Sequence, residues 1–399
     1  MQSAGLALMA GGLLACGQFV LPRAAAETPA GGGTGAVAEG QFFDIIPEAL
    51  CKRCDKLDRL QRLKENGGTP ACEEAVVKSL RWLKTKQQPD GSWNGVSKTG
   101  MTGLALLAYF GHCETPASPE FGESCLKGIT YLLNVGLKNN GRMADNFTAN
   151  HWPYEHAIAT QALAEAVIFC REIRQEVPSL LGTVGKAGQF IIDHQHENGG
   201  WAYGYATEGG HTDTSITAWQ LQSLKACSRT SFKFTGMIAS LSKSLKYLET
   251  CQNDNDGFGY GSSSNSANPD YFTLTGAGMF SHQMWGKGNI PGVRKAGRYV
   301  MDNTEFDYNG KSCDLYGHYY ESLAMMQMGG GWWKKYNAIF RDQLLNNQNA
   351  DGSWKVPGGG QRIRAVAPVF TTDPVYRTCL CTLMLEVYYR FLPPGVRAP

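Results

Sequence analysis

The fold of this 399-residue chain is decided by residues 190–201, which read FIIDHQHENGGW. The stretch opens with an aromatic and an aliphatic residue, reaches Gln195 after three more residues, and closes on a Gly-containing turn followed by Trp201. Apolar residues at this spacing bury one face of a helix, and glycine adopts a positive φ at no steric cost. The stretch therefore predicts a helix that ends in a left-handed turn.

The same phrase recurs along the chain, which indicates several copies of one structural unit. Intact copies lie at residues 82–93, 190–201, 247–258 and 344–354. Two degenerate copies lie at residues 127–141 and 295–310. In each copy we expect the final aromatic residue to pack over the Gln, whose amide would bond the free groups at the helix end. Each unit would then dock on its neighbour.

A second helix of small and apolar residues follows every turn. Each of these helices carries a Thr or Ser at an equivalent place: Thr102, Thr160, Thr217, Thr275, Ser322 and Thr378. Helices that are apolar nearly all round are buried, so they should lie inside the more amphipathic Gln-bearing helices. Six such pairs can close into a ring without exposed end repeats. We therefore predict an all-α (α/α)6 toroid around a central cavity over residues 71–395.

The repeated phrase resembles the QW repeat of triterpene cyclases, whose superfamily includes squalene-hopene cyclases and protein prenyltransferases. The resemblance covers roughly residues 70–395. It implies a toroid that holds an apolar, isoprenoid ligand in its cavity. This implication about function rests on the fold alone.

The motifs that carry chemistry in that superfamily are incomplete here. Its cyclases protonate an alkene with the central Asp of an Asp-x-Asp-Asp motif followed by Thr. The counterpart is residues 210–214, GHTDT, where only Asp213 survives and Thr212 stands at the donor position. The zinc-binding run of the prenyltransferases matches residues 375–381, with Arg377 in place of the His ligand. The resemblance therefore implies no metal and no other cofactor, and it leaves catalytic activity open.

Residues about four places before each aligned Thr or Ser should lie together at the mouth of the ring. These rim positions are Lys98, Glu155, Asp213, Tyr271, His318 and Pro374. Ionisable groups at the starts of apolar helices predict an active site at the mouth of the ring, with Asp213, Glu155 and His318 as catalytic candidates. An alternative holds for the two carboxylates, because helix N-termini favour them as first-turn caps.

Aromatic residues surround the same positions. The candidates for substrate binding are Trp219, Tyr271, Phe272, Tyr316, Tyr319, Tyr376 and Arg377. Aromatic faces stabilise cations, so this lining suits carbocation chemistry on a polyene. It would equally suit stacking on sugars or simple filling of the core.

The N-terminal residues predict export. An apolar run over residues 4–20 precedes a small-residue cleavage site at residues 24–27, so we expect a signal peptide over residues 1–26. A lipid anchor on Cys16 is the alternative. Residues 27–45 are typical of a disordered tether, and residues 46–70 form a Cys-containing segment. Cysteines of an exported protein are disulfide candidates, and context favours the pair Cys113 and Cys125.

The composition of the chain argues against some classes of binding partner. The formal net charge of +2 and the lack of a long basic run argue against nucleic acid and acidic membrane surfaces. Membrane association would come only from the lipid anchor, and the oligomeric state is open. Three hypotheses remain: a terpenoid-cyclase-like protein, a non-catalytic binding or scaffold protein, and a carbohydrate-active enzyme. The last needs two carboxylates at a separation of roughly 5 to 9.5 Å.

Overall fold

All the regular secondary structure in the described part of the chain is helical, apart from isolated β-bridges. The computed structural model describes residues 53–95, 97–262, 274–310, 313–358 and 372–390. The predicted signal peptide and tether lie outside the described residues.

The helices form six hairpins, preceded by α1 (Lys56–Glu65) and followed by the short α14 (Val387–Arg390). The first helices of the hairpins are α2 (Pro70–Lys86), α4 (Gly122–Lys138), α6 (Leu180–Asp193), α8 (Met237–Thr250), α10 (Pro291–Asn303) and α12 (Gly330–Leu345). The second helices are α3 (Lys98–Gly111), α5 (Trp152–Glu172), α7 (Thr214–Cys227), α9 (Thr275–Met284), α11 (Leu315–Met328) and α13 (Pro374–Leu385).

The second helices form a closed inner ring. Each packs against the next in chain order, and α13 packs against α3 to complete the circle. Every residue of α3 from Thr99 to Gly111 is buried, whereas α4 buries one side only. The predicted (α/α)6 toroid and its division into inner and outer helices are confirmed. Within the described residues, none of the helices is both long and apolar enough for a membrane span.

The repeated phrase builds the junction between neighbouring hairpins. The Trp201 indole Nε1 donates to the carbonyl of Ile191, in the last turn of α6, at 2.8 Å. The Gln195 amide donates to the turn carbonyl of Gly199 at 2.7 Å and to the Ser240 carbonyl of α8 at 2.9 Å. The Trp, rather than the Gln, therefore satisfies the helix end. The Gln instead links one outer helix to the next, because its amide carries two N–H donors.

Other copies make the same bonds, including the one that closes the ring. The indoles of Trp93 and Trp354 donate to carbonyls at their own helix ends at 2.7 and 2.9 Å. The Gln348 amide donates to the carbonyl of Ala75 in α2 at 2.8 Å. The last outer helix is thus bonded to the first.

The turn requires a residue in the left-handed region. Gly199 has a φ of +97°, and a Cβ there would lie 2.5 Å from the carbonyl oxygen of Lys243. In the copy at residues 247–258 the expectation that Gly adopts this conformation is wrong. Asp256 has the positive φ there, at 71°, and its carboxylate pairs with Lys295 at 3.1 Å.

The N-terminal segment is tied to the ring by a disulfide between Cys54 and Cys113. The predicted pairing of Cys113 with Cys125 is wrong, because Cys125 is a buried free thiol of α4. Cys113 follows the end of α3, and α1 folds back over that end of the ring. The partner is distant in sequence, so spacing could not reveal it.

Candidate functional site

Most of the predicted rim positions lie where inner helices begin. Lys98 and Pro374 are first residues, Glu155 and His318 lie in first turns, and Asp213 is an N-cap. Tyr271 and the neighbouring Phe272 lie outside the described residues. Alignment of the repeats therefore located the helix starts correctly. Residues at equivalent positions of different inner helices nevertheless have different neighbours.

Asp213 is both a helix cap and a buried acid. Its Oδ1 accepts the N–H of Ile216 at 2.6 Å, as expected of an N-cap. The residue is fully buried. Its second oxygen, Oδ2, is also buried and has no hydrogen-bond partner within the described part of the chain. Oδ1 thus anchors the helix, and the hydroxyls of Tyr203 and Tyr260 lie near the same carboxylate.

The surroundings of Asp213 favour its neutral form. Burial raises the pKa of Asp213 to about 6, against the lowering effect of the Ile216 N–H and of the Tyr203 and Tyr260 hydroxyls. These two hydroxyls hydrogen-bond to each other at 2.5 Å, and both tyrosines are partly exposed. Asp213 is therefore a carboxylic acid that changes protonation near pH 6, beside a tyrosine pair that reaches towards solvent.

Tyr203 and Tyr260 were not predicted from the sequence, yet a signal for them exists. Each follows the aromatic residue of its repeat by two places, after Trp201 and Phe258 respectively. Equivalent positions in neighbouring repeats meet on the same side of a ring. The shared offset would have identified the pair.

Three predicted binding residues lie in one aromatic cluster, which approaches Asp213 through Tyr316. Trp219 of α7 stacks on Tyr319 of α11, with ring centroids 5.9 Å apart and planes 13° from parallel. Tyr316 hydrogen-bonds Ser215, two residues after Asp213. The negative charge of Asp213 also raises the pKa of Tyr316, although burial is the larger cause.

Polar bonds support this aromatic cluster across the ring. The Gln222 amide of α7 donates to the Tyr320 hydroxyl at 2.7 Å, and the Tyr319 hydroxyl donates to the Gln222 carbonyl oxygen at 3.4 Å. Helices α7 and α11 are separated in the ring by α9. Gly276 of α9 allows the close approach of the helix beside it, because a Cβ there would lie 2.4 Å from the Glu321 nitrogen. The cluster therefore links α7 directly to α11, the next but one helix of the inner ring.

The adjacent candidates Tyr376 and Arg377 have different surroundings. Tyr316 and Tyr319 lie close enough to Tyr376 to affect its titration, so Tyr376 belongs to the aromatic cluster. The Arg377 Nε donates to the carbonyl of Trp354 at 2.9 Å. Arg377 is thereby bonded to a repeat turn at the outer layer. Successive residues of a helix point in different directions, which explains the separation.

Glu155 has surroundings of its own. Its Oε2 accepts the N–H of Asp145 at 2.9 Å. Burial, followed by the charge of Asp145, raises the pKa of Glu155 to about 7 despite this bond. Asp145 in turn accepts the backbone N–H groups of Lys98 and Thr99 at the start of α3. Glu155 thus belongs to the junction of α3 and α5, whereas Asp213 is surrounded by tyrosines.

His318 faces the outer layer. Its ring stacks on Phe306 at 4.0 Å, and its Nδ1 lies 3.3 Å from the Tyr336 hydroxyl of the outer helix α12. Glu321 completes this buried group, with its Oε2 3.4 Å from the imidazole. The structure therefore brings Asp213 together with the aromatic candidates and keeps Glu155 and His318 apart from them.

One stripe of residues runs along α5 at spacings of four, three and four. Its members are Tyr154 and Glu165, which are partly exposed, and Ile158 and Gln161, which are buried. Asp213 raises the pKa of Tyr154, after burial as the main cause, so this stripe begins at the level of Asp213.

Other features compete less well as a site. Cavities of about 320 and 240 Å³ lie beside the outer helix α10, and neither is lined by a predicted site residue. Among the residues that the structure describes, His, Cys, Asp and Glu side chains form no group of three able to hold a metal ion.

Comparison with known proteins extends the fold assignment. No protein-family model and no curated protein matches this sequence. The type II terpene cyclase MstE from Scytonema in its apo form is 13% identical, with 80% of this chain and 98% of that chain covered and a TM-score of 0.51. A single-residue variant of MstE in complex with the substrate geranylgeranyl dihydroxybenzoate is 13% identical, with 81% of this chain and 98% of that chain covered and a TM-score of 0.52.

A carbohydrate-active enzyme has the same architecture. The GH76A α-1,6-mannanase from Salegentibacter is 10% identical, covers 80% of this chain and 98% of that chain, and has a TM-score of 0.55. At these identities the likeness establishes the fold alone. The chain has the α/α-toroid fold that terpene cyclases share with this mannanase.

Proposed function

We propose that this chain is an exported toroid protein that binds an apolar isoprenoid ligand inside its ring and protonates one of the ligand's double bonds with Asp213. One observation carries the proposal. Asp213 is fully buried, keeps Oδ2 without a hydrogen-bond partner in the described structure, and lies beside the aromatic cluster. A neutral carboxylic acid in dry surroundings is what alkene protonation needs.

The Oδ2–H bond of Asp213 breaks as the π electron pair of the alkene forms a new C–H bond, which leaves a carbocation and an aspartate. The aromatic faces of Trp219, Tyr316 and Tyr319 stabilise the cation. Attack by a second double bond closes a ring, and loss of a proton from carbon ends the reaction. The Ile216 N–H stabilises the aspartate, because it already bonds to Oδ1.

Two further observations support the ligand class and the compartment. MstE, whose substrate carries a geranylgeranyl group, has the same fold. The Cys54–Cys113 disulfide favours export, because structural disulfides persist in oxidising compartments. A carbohydrate-active role has less support, since Glu155 and Asp213 lie in different surroundings.

The test is product analysis with purified protein. Incubation with squalene or geranylgeraniol, followed by mass spectrometry, should yield cyclised products at pH 5 and progressively less as the pH rises through about 6. Asp213→Asn should lower turnover by about 100-fold or more, the range of general-acid contributions. Glu155→Gln is the matched control and should retain activity.

A contrary result is equally clear. Full turnover by Asp213→Asn would remove this residue from the mechanism. Tight binding of the isoprenoids without any product would favour the non-catalytic alternative.

A further inference from the structure

The C-terminal ends of the inner helices meet a group of buried charges. Arg390 Nη2 lies 3.1 Å from Glu165 Oε1, and Arg53 Nη2 lies 3.6 Å from Glu165 Oε2. Glu386, which follows α13, is fully buried and feels both arginines electrostatically. We call Arg53, Glu165, Glu386 and Arg390 the floor cluster.

The floor cluster and Asp213 lie near opposite ends of one stripe of residues on α5. Glu165 ends the stripe on α5 that begins at Tyr154, eleven residues earlier. At 1.5 Å per residue these two positions are about 16 Å apart along the helix axis. Tyr319 of the aromatic cluster also feels the charges of Arg390, Glu165 and Glu386. A long ligand could therefore contact Asp213 at one end and the floor cluster at the other.

Three members of the cluster have buried polar atoms without a hydrogen bond. Among the described residues these atoms are Arg53 Nε and Nη2, Glu165 Oε2 and both carboxyl oxygens of Glu386, with Arg53 Nη2 and Glu165 Oε2 only 3.6 Å apart as an ion pair. Leaving buried charged groups without hydrogen bonds is costly. These atoms therefore point to a polar group bound between them. Nε and Nη2 form one edge of the guanidinium, which matches the two oxygens of a carboxylate.

Neighbouring elements hold the cluster in place. The Cys54–Cys113 disulfide fixes the residue next to Arg53, and the Arg53 guanidinium lies 5.1 Å from the centre of the Phe169 ring. Gly111 makes room for Glu386, because a Cβ there would lie 1.8 Å from Glu386 Oε2. Arg53 and Glu386 are therefore held by the fold and are not loose surface side chains.

The cluster combines two arginines with two carboxyl groups in different surroundings. Burial raises the pKa of Glu386 to about 8, so Glu386 is mostly neutral at pH 7. Arg53 and Arg390 therefore share one nearby carboxyl partner, that of Glu165. The groups that face Glu386 from the surrounding elements are Arg53, Glu73, His112, Tyr319, Cys379, Tyr389 and Arg390, and Arg59 and Glu165 lie beside members of this group. Arg59 and His112 both pair with Glu73, and His112 also pairs with Glu114.

We infer that the floor cluster binds the carboxylate head of an acidic isoprenoid, with Arg53 as its bidentate donor and the isoprenoid tail lying along α5 towards Asp213. The inference rests on the proposed function, because it names the class of ligand for the same interior space. A carboxylate would give the two arginines a second carboxyl partner and accept the unused N–H groups of Arg53. Glu386 in its neutral form would avoid repelling it.

The experiment compares two ligands that differ only at the head. Farnesoic acid and farnesol are titrated calorimetrically into the full-length, oxidised protein at pH 8. The acid should bind about tenfold or more tightly than the alcohol, as expected for hydrogen bonds to a charged group. Arg53→Gln should abolish this preference, because it should weaken the binding of farnesoic acid far more than the binding of farnesol. Arg53→Lys keeps the charge but loses the planar guanidinium with its two parallel N–H donors, so it should give an intermediate preference. It replaces Arg53→Gln in the test if that variant does not fold.

Proton uptake provides an independent measurement. Because the bound carboxylate disfavours ionised Glu386, titrations in buffers of different ionisation enthalpy should show uptake of about half a proton per acid bound at pH 8. Glu386→Gln mimics the neutral form, so it should bind the acid without this uptake.

Each outcome is decisive. Equal affinity for acid and alcohol in the unmodified protein would overturn the inference and leave the proposed function standing. Binding of neither probe would overturn the proposed function and the inference with it. A preference for the acid that survives in both Arg53 variants would show that the head binds elsewhere.

Discussion

Asp213 both caps a helix and is a buried carboxyl group, and the free energies of these two roles can be compared. An N-cap contributes about 1 kcal/mol to a helix. The rise of the pKa from 3.8 to about 6 corresponds to a penalty of about 3 kcal/mol for ionised Asp213 at neutral pH. Capping alone does not explain the residue, because Asn would cap as well without this penalty. The acid is therefore better explained by the proposed proton transfer.

This balance predicts a pH-dependent stability difference. The folded state holds the Asp213 proton up to about pH 6, whereas the unfolded chain releases it near pH 4, so the free energy of unfolding falls as the pH rises through this window. Asp213→Asn should match the unmodified protein at pH 4 and exceed its stability at pH 7 by up to about 3 kcal/mol. Urea unfolding at both pH values measures this, and an equal difference at both would contradict the raised pKa.

At the scale of elements, the repeated turn decides how the hairpins meet. Gly199 needs both its positive φ and its missing side chain, since the neighbouring outer helix passes close to it. Asp256 shows that the conformation alone does not demand Gly. The close approach of the next helix is therefore the stricter constraint.

A pair of glycine substitutions tests whether the turn at Gly199 is more sensitive to a side chain than a glycine elsewhere. Gly199→Val should lower the free energy of unfolding by at least about 2 kcal/mol, because a β-branched residue is strained at positive φ and would strike the Lys243 carbonyl. Gly182→Val in α6 is the matched control, since a Cβ there meets nothing within 4 Å. Its effect should stay within about 1 kcal/mol. Similar losses in both variants would mean that the turn has no special role.

At the scale of the whole molecule, the junction that closes the ring uses the same bond as intact junctions within it. The bond from Gln348 to Ala75 joins the two ends of the repeat array with the geometry that Gln195 uses within it. An open solenoid has terminal units that can fray independently. A closed ring has none.

Closure can therefore be tested with a pair of variants. Gln348→Leu and Gln195→Leu should each cost about 1 to 2 kcal/mol, because each removes equivalent hydrogen bonds to partly buried carbonyls. Thermal unfolding monitored by circular dichroism gives the comparison. A negligible cost for Gln348→Leu beside a clear cost for Gln195→Leu would indicate that the ring opens in solution.

The sequence also determined that the candidate site lies at the start of the inner helices. Alignment of Thr102, Thr217 and Thr275 was sound because each accepts the backbone N–H of the aromatic residue in its own repeat turn. Such contacts are local and repeat in every unit, so periodicity reveals them. Asp213 and the start of its helix followed from this alignment.

The sequence by itself therefore determined the helices, their pairing, the turn residues and the closed ring, because these depend on short-range spacing and on burial of apolar faces. Only the tertiary structure decided which rim residues meet, that His318 faces outward, and that Cys54 rather than Cys125 pairs with Cys113. Those outcomes depend on side-chain direction and on contacts between residues far apart in the chain, such as Ser215 with Tyr316. A repeating pattern predicts how far along its helix a residue lies. It does not predict which residues of other helices that residue contacts.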